Sequence, residues 1–254
     1  MRIVFSRDRP AQLDLLLRSL ELNAPPEETR VIWLGTERRY QAGYGLIEGI
    51  GRMQMEFDRD LRSCVEECVD PTITFFCDDD VLYRPQADAV ERLLAEPLML
   101  TFSLRLGREN RDMAHPDDWA PGRGHWLWVW YYRERENFGF PGSVDGHIFR
   151  TEDVRELLGE EAFRTPTFVE TVISLRCDGF KDRRPLMGCF PDQRLVGVPV
   201  NRVSHESSCR AGERHPQSTH HLNKRFLGGE RIVLERLDFS AVAGCLYELS
   251  YVWG

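Results

Sequence analysis

Ile73-Thr74-Phe75-Phe76-Cys77-Asp78-Asp79-Asp80 runs an apolar segment straight into three consecutive carboxylates. A short, unbroken apolar run reads as a strand buried on both faces, as in the parallel sheet of an α/β protein. Like charge then crowds one end of a core strand, and two charges about 4 Å apart repel by about 1–4 kcal/mol between bulk water and a protein surface. A divalent cation relieves that repulsion. Hard oxygen donors suit Mg²⁺ or Mn²⁺, ions that also bridge substrate phosphates. An acidic turn in solvent is the plainer alternative.

Working outward, residues 2–6 read as a first strand and Ser6-Arg7-Asp8-Arg9-Pro10 as a polar loop. Leu13, Leu16, Leu17 and Leu20 follow at i, i+3, i+4 and i+7, which predicts a helix over 10–22, with Pro10 in its tolerant first turn. Strands are expected at 30–34, 53–57 and 98–104, with helices at 58–69 and 86–95. This alternation predicts an α/β fold with a mostly parallel central sheet, flanked by helices in a single domain. Ligands of such sheets bind beyond the carboxyl ends of the strands, where Ser6, Arg7, Arg9 and the three aspartates would gather.

The second half changes character. Trp126, Trp128 and Trp130 alternate as one face of a strand, and either a core strand or a stacking wall for a sugar accounts for them. Helices are expected at 151–158 and 168–177, a last core strand at 195–203, and a polar mobile loop at 204–217. Residues 1–105 and 106–254 thus form two halves of different character, which the resemblance described below implies bind nucleotide and metal in the first and acceptor in the second.

Composition narrows the classes. The 254 residues, 42% hydrophobic and 29% charged, suffice for a full core, and no apolar stretch approaches a membrane span. A cytoplasmic address is expected. The seven cysteines are odd in number and lack any Cys-x-x-Cys pair, so reduced thiols are expected. A net charge of −8 disfavours nucleic acid, whose affinity comes largely from Lys and Arg at phosphates.

Five segments in order resemble the GT-A glycosyltransferases, the nucleotide-diphospho-sugar transferase fold, in a bacterial family-two-like branch. They are Ser6–Pro10, Phe75–Asp80, Pro141–Arg150, Thr165–Glu170 and Val198–Val203. The resemblance implies that Ser6, Arg7 and Arg9 hold base, ribose or phosphate, with Asp58 or Asp60 approaching the nucleotide. It implies Asp78 on the ribose side and Asp80 as the direct Mn²⁺ or Mg²⁺ ligand. Asp78 and Asp80 share a direction on an extended segment, and Asp79 points away. His205 would complete the metal sphere, although an ordinary loop histidine fits equally well.

The implied reaction moves a sugar from a nucleoside diphosphate sugar, uridine by default, to an acceptor hydroxyl with inversion. Glu170 is the first choice for the base and Asp145 the second, Asp145 alternatively binding donor hydroxyls. The 204–217 loop would close over the diphosphate with Arg210 or Arg214 at phosphate. A nucleotidyltransferase would usually carry a glycine-rich loop after its first strand, and Ser6–Pro10 has no glycine. A noncatalytic carbohydrate-binding protein would use the aromatic block and leave the acidic strand end unexplained.

Overall fold

The computed structural model describes residues 1–50, 56–122, 124–132, 137–203 and 211–254. In chain order the elements are β1 (Arg2–Arg7), α1 (Pro10–Asn23), β2 (Thr29–Leu34), α2 (Arg38–Tyr44), α3 (Phe57–Glu67), β3 (Thr72–Cys77), β4 (Asp80–Leu82), α4 (Ala89–Ala95), β5 (Met99–Ser103), β6 (Ala120–Pro121), β7 (Trp126–Val129), β8 (His147–Arg150), α5 (Thr151–Leu158), α6 (Pro166–Arg176), β9 (Leu186–Cys189), β10 (Leu195–Gly197) and α7 (Thr219–Leu227).

The main sheet has eight strands in the order β2-β1-β3-β8-β5-β9-β7-β6. β2, β1 and β3 are mutually parallel; β8 lies antiparallel between β3 and β5, and β9 pairs parallel with β5. Most strands therefore point one way, the α/β architecture expected from the sequence. Side-chain alternation builds a core on each face. Ile3, Phe5, Ile73, Phe75 and Phe149 pack beneath α3, α5 and α6, whereas Val4, Val31, Trp33, Phe76 and Ile148 pack beneath α1, α2 and α4. A third cluster joins Val196, Val198 and Val200 to Leu222 and Phe226 of α7 and to Leu249 and Tyr251 of the C-terminal segment.

Two expected strands differ. The strand expected at 195–203 is only β10, and it pairs antiparallel with β4 in a separate two-stranded sheet. Pro199 carries no N–H to continue a ladder, so pairing stops short of it. Of the strand expected at 53–57, residues 53–55 lie outside the described residues and Phe57 opens α3. Trp128 and Trp130 are core residues, their indole N–H groups donating to the Phe138 and Arg184 carbonyls. The six described cysteines are free, and no helix among the described residues is long and apolar enough to cross a membrane.

Candidate functional site

β1, β2 and β3 end side by side at one rim of the sheet, and a cleft of about 870 Å³ opens there. It is walled on the strand side by Ser6, Arg7, Arg9, Trp33 and the three aspartates, and on the other by Arg105, Val144, Asp145, Thr165 and Glu170. The acidic strand end and both base candidates therefore share one cavity.

The first loop shapes the floor. Asp8 takes a left-handed conformation, φ 55°, and its carboxylate accepts from the Thr36 N–H at 2.7 Å and the Thr36 hydroxyl at 2.8 Å. This anchor directs Arg9 inward, where its guanidinium is buried. Its Nη1 lies 2.8 Å from Asp78 Oδ1 and 3.1 Å from Asp79 Oδ2. Arg9 Nε donates to Asn201 Oδ1 at 2.7 Å and Nη2 to the Asn201 carbonyl at 2.5 Å.

Asp78 is thereby fully engaged. Its second oxygen accepts from the Ser6 hydroxyl at 2.8 Å and the Arg7 N–H at 3.0 Å, and Tyr44 braces Ser6 at 2.6 Å. Burial pushes the Asp78 carboxyl up to about 6 against the pull of Arg9. The sequence reading placed Asp78 beside a cation; the structure supplies that positive charge from the chain itself, as Arg9. Asp79 shares the same guanidinium.

Asp80 differs. Its Oδ2 accepts from the Cys77 N–H at 2.9 Å, and among the described residues it has no ion pair. Burial, then Asp145 and Asp79, push its carboxyl well above the usual range. A buried carboxylate left uncompensated beside two others has the donor chemistry for a hard divalent cation. Among the described residues no group of three His, Cys, Asp or Glu side chains forms a ready cage for a metal ion.

On the opposite wall Arg105, two residues past β5, donates from Nη1 to Asp145 Oδ2 at 2.9 Å and to the Ser143 hydroxyl at 2.8 Å. The turn behind Asp145 needs Gly146, whose φ is +70°. Glu170 projects from α6, whose start is fixed by Pro166 and by Thr165, the cap that accepts from the Phe168 N–H. Its Oε1 accepts from the Val144 N–H at 3.3 Å. Burial, then the charge of Asp145, push the Glu170 carboxyl up to about 7, while Arg105 pulls the other way.

Of the remaining expectations, Asp58 lines the cleft and Asp60 does not; Asp60 turns back to accept from the Glu56 N–H and from Arg59. Arg214 stacks on Tyr247, and its N–H donates to Glu248. His205 and Arg210 lie outside the described residues. The sequence reading missed Arg105, Ser143, Tyr44 and Asn201. Arg105 carried a usable signal, since it lies two residues past a strand parallel to the one bearing the aspartates.

No family model and no curated protein matches this sequence. Among solved structures, the crystal structure of S. aureus TarS residues 1–349 matches at 13% identity with a TM-score of 0.47, covering 76% of this chain and 59% of that one. The same TarS fragment in complex with UDP-GlcNAc matches at 12% identity with a TM-score of 0.46, over 83% of this chain and 61% of that one. Its complex with UDP gives 11% identity and 0.44, over 78% and 61%. This chain thus spans less than two thirds of the TarS chains it matches.

Proposed function

We propose that the cleft transfers a sugar from a nucleoside diphosphate sugar to an acceptor hydroxyl, with inversion at the anomeric carbon. One observation carries the reading: Glu170, a carboxyl raised to about 7 near a guanidinium, lines the same cavity as the aspartates at the end of β3. A base works best with a pKa near the operating pH.

The residues divide the labour. Arg7, Arg59, Arg164 and Arg202 stand around the cleft and give an acidic protein local positive charge for a diphosphate. Ser6, Arg9 and Asp79 hold the nucleotide on the strand side, on a floor fixed by Asp78. Asp80 would hold Mn²⁺ or Mg²⁺, with His205 the further ligand expected from the sequence. When bound, the cation supplies Lewis-acid stabilisation of the leaving diphosphate. Asp145, oriented by Arg105, hydrogen-bonds donor hydroxyls. Glu170 takes the acceptor's proton as the acceptor oxygen bonds to the anomeric carbon; the bond from that carbon to the phosphate oxygen breaks, and the diphosphate leaves with the electron pair. A uridine donor is the starting choice.

The test is a panel of nucleoside diphosphate sugars incubated with Mn²⁺. Release of nucleoside diphosphate coupled to a glycosylated product supports the reading. Pyrophosphate release indicates nucleotidyl transfer instead, and binding without any turnover indicates a noncatalytic module.

A further inference from the structure

A second, smaller recess of about 80 Å³ lies beside the cleft, and Phe140 lines both cavities. Its walls are Trp130 and Tyr131 on one side and Ser174, Asp178 and Lys181 on the other. None of these five has a part in the proposed transfer.

The geometry along α6 ties the recess to the chemistry. Glu170 and Ser174 are four residues apart on one helix, so they share a face about 6 Å apart along the axis. Asp178 follows four residues later, in the short 3₁₀ turn that continues the helix. A molecule presenting one hydroxyl to Glu170 would therefore lay its next few ångströms along Ser174 and Asp178.

The recess mixes two kinds of surface. Tyr131 and Trp130 pack edge to face with centroids 5.4 Å apart and supply an aromatic wall. Lys181 Nζ lies 5.7 Å from the Tyr131 ring centre and 3.0 Å from Asp178 Oδ1. Ser174 Oγ is buried and has no hydrogen-bond partner among the described residues. Gly142 closes the wall beside it, for a Cβ there would fall 2.3 Å from Ser174 Oγ. A lone hydroxyl without a partner is a cost that a ligand hydroxyl would remove. Aromatic faces set against a hydroxyl, a carboxylate and an ammonium suit a sugar ring, whose C–H face is apolar and whose rim donates and accepts.

We propose that this recess is the acceptor subsite and takes the edge of a pyranose ring whose reacting hydroxyl reaches Glu170. The proposal rests on the glycosyl-transfer reading and names its acceptor class, a carbohydrate.

The test is direct binding by saturation-transfer NMR, using the methyl glycosides of glucose, galactose and N-acetylglucosamine. It is run on the wild type, Tyr131→Ala and Asp178→Asn, with thermal stabilisation by UDP plus Mn²⁺ recorded in parallel. At least one glycoside should bind the wild type, lose its signal in Tyr131→Ala, and bind about tenfold more weakly in Asp178→Asn, a loss of about 1.4 kcal/mol. UDP stabilisation should persist in both variants. Absence of glycoside binding, or equal binding in all three proteins, overturns the subsite even where UDP still binds. Loss of glycoside binding in Tyr131→Ala without any UDP effect in the wild type supports the recess and overturns the donor reading.

Discussion

Arg9 Nη1 lies 2.8 Å from Asp78 Oδ1, and both side chains are more than nine-tenths buried. The acidic strand end thus carries its own cation, and Asp80 is left as the carboxylate without one. Removing one partner of such a pair strands a buried charge, at a cost of about 3–5 kcal/mol. Arg9→Met should lose stability on that scale in urea unfolding. Arg9→Lys, which keeps the charge but not the fork to Asn201, should lose less.

Asp80→Asn removes a buried carboxyl whose ionisation burial, Asp145 and Asp79 all oppose. The variant should melt higher than the wild type in the absence of metal, a trade of stability against function. Its nucleotide affinity should lose all dependence on Mn²⁺, measured by calorimetry. Mn²⁺-dependent binding equal to the wild type would remove Asp80 from the metal role.

Glu170→Gln should keep donor affinity while turnover falls by at least about a hundredfold, the lower range for a positioned base. The wild-type rate should climb as pH rises through about 7, because the proton-accepting form accumulates above the raised carboxyl pKa. That rising limb should be absent from the pH profile of Glu170→Gln.

Glu248 receives three successive backbone N–H groups, from Glu213 at 2.7 Å, Arg214 at 2.9 Å and His215 at 2.7 Å. Burial raises its carboxyl, but these three bonds outweigh burial and hold it below the ordinary glutamate value. A folded pKa below the unfolded one stabilises the fold above the unfolded value, and that stability is lost as pH falls through the lowered one. Glu248→Gln should cost about 1–3 kcal/mol near neutral pH. The gap in melting temperature from the wild type should close at acid pH.

Strands and helices with a continuous apolar signature were legible in the sequence. β3 carries Ile73, Phe75 and Phe76 because both of its faces are covered, and α1 shows Leu13, Leu16 and Leu20 on one side. β8 was not legible, because its four residues begin with His147 and end with Arg150, which reads as polar. Arg150 is buried only because its guanidinium donates to the Leu93 and Met99 carbonyls, contacts across about fifty residues. α7 offers only Leu222 and Phe226 as an apolar pair, too short a pattern to identify. Arg9, Asp78 and Glu170 could each be picked out by residue type and position. Their grouping could not, since Arg9 meets Asn201 across 192 residues and Arg105 reaches Asp145 across 40.

Strand β8 comes late in the chain yet sits wedged between β3 and β5, both of which come early. Synthesised alone, residues 1–105 would present two raw edges ready to pair with other copies. The early strands therefore wait for a segment more than forty residues behind them before the sheet can close, which should slow folding. Two fragments cut near residue 105 should be insoluble apart and regain a common fold only when refolded together.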